Sequence, residues 1–208
     1  SNSQERFCFL NLGAGFTTYP YHSFMNQNAV SIEVDQATVI EYKQHIVNSC
    51  LEKGTLPRGK DIHYLGINFE TEPFEESISR TIQDASATGL PIFVLMEGFF
   101  YYLQKSVSDR LWDFMVRTLP SKSQIGLIYL SPETKHSKVL RDTRKFLSEE
   151  CGYDGDELIF HQRSFFQHER LREIDFSTHL LNEKRYLNTE ELTIDDVFNE
   201  DFLTLEVK

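Results

Sequence analysis

The chain is poor in cysteine. Its 208 residues hold three, Cys8, Cys50 and Cys151, far apart and without a CxxC pair. An odd, scattered set supplies neither a disulfide framework nor a redox pair, and it predicts reduced thiols in a cytoplasmic protein. No apolar run approaches the roughly 20 residues of a membrane span, and no signal peptide opens the sequence, so no membrane partner is expected. Basic residues are in deficit: 21 Lys and Arg stand against 32 Asp and Glu, a net charge of −11. Binding to nucleic acid needs a basic footprint that displaces counterions from phosphates, and no Lys/Arg cluster provides one, so no nucleic acid partner is expected. The histidines at 22, 45, 63, 136, 161, 168 and 179 show no HxxxH or similar ligand spacing. Asp154-Gly155-Asp156-Glu157 reads as a turn that lacks the length and terminal acid of a calcium loop. No metal site is expected. There is no GxSxG elbow, which argues against a hydrolase triad.

What is present is a regular alternation. Apolar runs read as strands at Phe7–Leu12, Ala29–Val34, Asp61–Phe69, Pro91–Met96 and Gln124–Leu130. Amphipathic stretches between them read as helices at Ala37–Lys53, Phe74–Ala87 and Ser106–Leu119. In the first helix Val39, Ile46, Val47, Cys50 and Leu51 share a side; in the third, Val107, Leu111, Phe114, Met115 and Leu119 do. Strands joined by helical crossovers form parallel sheets. Past Pro132 the expectation is a helix over Thr134–Cys151, a short strand at Glu157–Phe160, a helical segment at Gln167–Arg172 and a final strand at Phe202–Val207, added antiparallel. His168 to Glu173 mixes charges at helical spacing, with Glu169 paired to Arg172 or Glu173 to Arg170. Seven acids against one base from Glu190 to Lys208 mark an acidic, solvated face. No repeat and no Pro/Ser-rich linker interrupts the pattern, so a single domain over 1–208 is expected.

The chemistry concentrates where strands end. Asn11-Leu12-Gly13-Ala14-Gly15 follows the first strand, and glycines there let the backbone pass close to a ligand. The third glycine of the dinucleotide fingerprint is absent, since Phe16-Thr17-Thr18 follows; this favours a ligand without a phosphate. Glu33-Val34-Asp35 ends the second strand. Asp35 lies about 20 residues past the glycine turn, the spacing of an acid that accepts ribose hydroxyls; its alternative is an N-cap for the helix near Ala37. Asn68-Phe69 ends the third strand, an amide for the adenine edge and a ring for its face, although a Phe there also suits a core. Glu97, after the apolar run Phe93–Met96, needs a partner if buried, and an ammonium group at a ligand crevice is one. Gly98 and the run Phe99 to Leu103 follow it.

Together these blocks resemble the leucine carboxyl methyltransferase family, over roughly residues 7 to 130. They match its NLGAG turn, its E-V-D acid followed by a segment ending in Lys (here Lys43), and its E-G-x-x-x-Y-L block, here Glu97-Gly98 through Tyr102-Leu103. The resemblance implies a Rossmann-like α/β methyltransferase fold, with a mostly parallel central sheet flanked by helices and an antiparallel C-terminal strand. It implies S-adenosylmethionine (SAM) as cofactor, S-adenosylhomocysteine as product, and a carboxylate or hydroxyl oxygen of a small molecule or protein C-terminus as acceptor. Gly13, Ala14 and Gly15 would lie under the methionine part of SAM, with Glu33 and Asp35 on the ribose side. Asn68 and Phe69 would meet adenine, Glu97 and Gly98 the methionine amino end, and Tyr102 the acceptor. A hydroxyl acceptor would need a base, for which His22, Tyr101 and Tyr102 are candidates. The sequence departs from the family at Thr17, Thr18 and Tyr19, where Asp-Thr-Arg is usual, and at Asn68, where an acid is usual. Six residues precede the first strand, where the family carries a helical segment over SAM. Without that segment, apolar surface near the crevice predicts a homodimer through the N-terminal side. A non-catalytic module that binds a partner, or SAM without turnover, is the competing reading.

Overall fold

The computed structural model describes residues 6–22, 28–56, 62–151, 158–197 and 200–208. Seven strands form one sheet in the order β3-β2-β1-β4-β5-β7-β6. They are β1 Phe7–Leu12, β2 Ala29–Asp35, β3 Ile62–Gly66, β4 Ile92–Glu97, β5 Gln124–Leu130, β6 Leu171–Thr178 and β7 Glu200–Val207. Strands β1 to β5 pair parallel with one another, and β7 runs antiparallel to both β5 and β6. Helices α1 Ala37–Glu52, α2 Phe74–Ala87 and α3 Lys105–Thr118 are the crossovers, and α4 Lys138–Cys151 follows β5.

The central strands form because parallel strands under helices are buried on both faces and need no polar alternation. Cys8 to Leu12 are all buried. Helix α2 buries Phe74, Ile78, Ile82 and Ala85, a stripe at three- and four-residue spacing, against the sheet. Helix α3 buries Val107, Leu111, Met115 and Val116, and Phe114 packs partly against the same core. Helix α1 is less apolar inward than its composition suggests. It buries Ile40 and Lys43, whereas Ile46 is exposed.

The C-terminal third departs most from the sequence pattern. Gln167–Arg172 is not helical: a 3₁₀ turn spans Arg163–Phe166, and the edge strand β6 begins at Leu171. The charges that mimic a helical face are spent on tertiary partners. Arg172 pairs at 2.6 Å with Glu206, the residue directly opposite on β7. Glu173 takes Arg163, which lies before the strand. Arg170 donates to the carbonyls of Val116, Arg117 and Leu119, capping the C-terminal end of α3. Residues 158–160 form no ladder, though the Ile159 and His161 amides donate to the Tyr101 and Leu130 carbonyls; Glu157 lies outside the described residues, as does the turn at 154–157. The helix expected from Thr134 begins only at Lys138, after a 3₁₀ turn at Pro132–Thr134. The last strand is antiparallel as expected and starts two residues earlier, at Glu200.

Candidate cofactor site

Strand order reverses between β1 and β4, and open parallel sheets bind ligands beyond the carboxyl ends of the strands at such a switch. The glycine turn, Asp35 and Glu97 all lie at this edge, at the ends of β1, β2 and β4.

The turn is tied down rather than open. The Gly13 and Ala14 amides donate to the Val34 carbonyl at 2.9 and 3.0 Å, and the Gly15 amide donates to Asp35 Oδ2 at 2.7 Å. Three consecutive amides are thus satisfied within the protein, which leaves no nest of free N–H groups for a phosphate. Gly13 has φ +71°, and a Cβ there would stand 2.6 Å from Phe99 Cδ2. Only glycine fits between the turn and the β4 loop. Asp35 is the last residue of β2, and its Oδ1 also accepts from the Gln36 amide at 2.7 Å. The N-cap of α1 is Gln36 and makes no side-chain bond, so Asp35 does not cap the helix. Its half-buried carboxylate clamps the turn and keeps lone pairs for hydroxyl donors.

Glu33 stands two residues before Asp35 on the same strand. It is fully buried and accepts from Lys43 Nζ at 2.8 Å, and the lysine itself is 4% exposed. Lys43 also reaches the Ala14 carbonyl at 3.4 Å. Burial pushes the Glu33 carboxyl upward, and the Lys43 ammonium pulls against it. Through Lys43 the pair is tied to the glycine turn. Asn11, also buried, donates to Thr17 Oγ1 at 3.1 Å.

Both residues expected at the end of β3 have partners within the protein. Phe69 is 5% exposed, with its ring 5.3 Å from Phe74 and 5.0 Å from Phe99, so it packs in the core among other rings. The reason is that the chain turns inward after β3, burying both Ile67 and Phe69. Asn68 is half-buried, and its Oδ1 accepts from the Glu70 amide at 3.0 Å, which leaves Nδ2 as its donor toward a ligand.

The profile of leucine carboxyl methyltransferases matches residues 7–116, more than half the chain and every element of this edge up to α3. The chain belongs to the leucine carboxyl methyltransferase family. No curated protein matches its sequence. Solved structures extend the fold likeness to the C-terminal third. A DUF574 family protein from Streptomyces avermitilis superposes with TM-score 0.65 at 12% identity, over 96% of this chain and 75% of that one. Magnesium protoporphyrin IX methyltransferase from Synechocystis, solved with bound S-adenosylhomocysteine, gives TM-score 0.57 at 7% identity, over 98% and 75%. An enzyme described as catalysing a pericyclic reaction gives 0.56 at 12% identity, and this chain spans 45% of its length. At these identities the likeness establishes the fold, and the pericyclic enzyme illustrates that one fold serves more than one reaction.

At the β4 end, this family member places the three expected acceptor-side residues differently. Tyr102 is exposed, with its ring 4.7 Å from that of Tyr101. Tyr101 is buried and donates its hydroxyl to Glu200 Oε1 at 3.0 Å. Burial and the Glu200 charge push its pKa up, so Tyr101 keeps its proton and is unsuited to act as a base near neutrality. His22 is exposed on the bend after the 3₁₀ turn Tyr19–Tyr21, in a different segment. Gly98 has φ +60°, and a Cβ there would come within 3.0 Å of the Tyr101 hydroxyl. Glu200 and the Tyr19 hydroxyl partner residues 99 and 78 positions away, and no local motif announces those pairings; Lys43 stands in the family segment after Asp35, but its pairing with Glu33 is visible only in the fold. No helix among the described residues is long and apolar enough to cross a membrane. An exposed aromatic pair, Phe16 at 58% and Tyr42 at 59%, flanks the turn with ring centroids 5.7 Å apart.

Proposed function

We propose that this protein is a SAM-dependent O-methyltransferase that moves a methyl group to a carboxylate or hydroxyl oxygen of a small molecule or a protein C-terminus. The observation that carries the reading is the glycine turn itself. Its amides are consumed by Val34 and Asp35, while carboxylates stand at the ends of β2 and β4. Such a site suits a ligand with a ribose diol and an ammonium group but no phosphate, and SAM is such a ligand. When bound, SAM supplies a methyl group on a positively charged sulfur. Asp35 accepts the ribose hydroxyls, Glu97 accepts from the ammonium, and Asn68 Nδ2 donates toward the adenine edge. Methyl displacement requires alignment above all, and alignment contributes roughly 7–11 kcal/mol in favourable cases. A carboxylate acceptor needs no base, which agrees with the protonated state of Tyr101. The exposed Phe16–Tyr42 pair is the apolar surface through which we propose a homodimer; a monomer by light scattering at all concentrations would overturn that part.

Calorimetric titration with S-adenosylhomocysteine tests the cofactor site. Micromolar binding that disappears in Asp35→Ala supports the reading, and no binding by the unaltered protein refutes it. Radiolabelled SAM offered with carboxylic acids, alcohols and phenols then tests the reaction. A labelled product that releases methanol in mild alkali is a methyl ester and identifies a carboxylate acceptor; an alkali-stable product identifies a hydroxyl acceptor.

A further inference from the structure

Tyr19 opens the 3₁₀ turn between β1 and β2, with Pro20 behind it. Its ring stands edge-on to Phe9 of β1, with centroids 6.4 Å apart. The turn is pinned at its other end by a hydrogen bond between the Tyr21 and Tyr64 hydroxyls, Tyr64 lying on β3. From this braced position the Tyr19 hydroxyl donates to Glu97 Oε2 at 2.5 Å, across 78 residues of sequence. Burial, reinforced by the Glu97 carboxylate, pushes the Tyr19 phenol up to about 12, so it remains a donor throughout the working pH range.

A carboxylate that must receive a cation gains from a neutral donor on one oxygen. The hydrogen bond sets the plane of the group while a neutral donor leaves its net negative charge in place, with the other oxygen open to the cation. A cationic residue at the same place would orient Glu97 and neutralise it together. We propose that Tyr19 is a positioning residue that holds Glu97 through Oε2 and presents Oε1 to the ammonium group on the amino acid portion of the bound cofactor. The inference rests on the cofactor reading above, since it assigns Glu97 to the ammonium.

The test uses two ligands. S-adenosylhomocysteine carries the amino acid portion, and 5′-methylthioadenosine lacks it. Both are titrated calorimetrically into the unaltered protein, Tyr19→Phe, Glu97→Gln and the double variant. Tyr19→Phe keeps the ring packed on Phe9 and removes only the hydroxyl. Loss of one hydrogen bond to a charged group predicts a roughly tenfold weaker S-adenosylhomocysteine affinity, with 5′-methylthioadenosine unchanged. Because Tyr19 acts through Glu97, the double variant should bind no more weakly than Glu97→Gln alone. Equal affinity of Tyr19→Phe and unaltered protein for S-adenosylhomocysteine overturns the proposal and leaves the cofactor reading intact. Equal weakening of both ligands also overturns it, because that marks a general collapse of the loop. Failure of the unaltered protein to bind either ligand overturns the cofactor reading and the proposal with it.

Discussion

Lys43→Met isolates the buried pair beneath the glycine turn. Methionine keeps the length of the lysine stem and removes the charge, leaving Glu33 at 0% exposure with no cation within reach of its former 2.8 Å partner position. Removing one member of a buried ion pair costs about 3–5 kcal/mol, most of it the penalty of stranding the other charge. In a chain of this size each kcal/mol lowers the melting temperature by roughly 2–4 °C, so a fall of about 6–20 °C is expected near neutral pH. The deficit should also depend on pH, with a definite sign. Without Lys43, burial and the Asp35 charge are opposed only by the Asn11 hydrogen bond, and the folded pKa of Glu33 rises further above its unfolded value. The folded state then binds more protons than the unfolded state, so stability falls as pH rises from the unfolded pKa through the folded one. Lowering the pH from 8 to 5 should therefore recover part of the loss. Adding Glu33→Gln removes the stranded charge and should recover part of it at every pH. Urea unfolding at three pH values reads all of this. A Lys43→Met protein within about 1 kcal/mol of the unaltered one, or a deficit independent of pH, would refute the reasoning.

Three more outcomes are expected. Gly13→Ala places a Cβ 2.6 Å from the Phe99 ring at a φ of +71°; it should cost about 2–4 kcal/mol in urea unfolding, from backbone strain and crowding together, and a neutral result would mean the turn relaxes freely. Arg170→Met strips the α3 carbonyls of their donor; a loss of about 1–3 kcal/mol is expected, with exchange of the α3 C-terminal amides hastened by the same change. Burial and the neighbouring Glu133 carboxylate push Asp201 up to about 6 from an ordinary 3.8. Its folded form therefore holds a proton that the unfolded form releases, so stability should fall with rising pH between about 4 and 6, and Asp201→Asn should flatten that slope in thermal melts.

Much of this protein is decided along the chain. Strands β1, β2, β4 and β5 are legible because buried parallel strands are apolar without alternation, and α2 and α3 because their stripes repeat at helical spacing. Gly13, Gly15, Asp35 and Glu97 stand out along the chain because they close apolar strands, and the fold gathers those strand ends where the strand order switches. Tertiary structure alone decides who meets whom. The segment Gln167–Arg172, which leads into edge strand β6, reads as a helix because its charges fit helical pairs equally well, and only the opposing strand and the preceding turn show that Arg172 belongs to Glu206 and Glu173 to Arg163. Phe69 suits both an adenine face and a core, and the inward turn after β3 selects the core. Glu33, Glu97 and Tyr101 look alike in the sequence as polar groups near a ligand. Lys43 ties the first to the glycine turn, Tyr19 orients the second, and Glu200 draws the third away from base chemistry. These partners lie 10, 78 and 99 residues away. A buried charge or hydroxyl takes whichever partner the fold brings within 3 Å, and sequence spacing carries no information about distances of that kind.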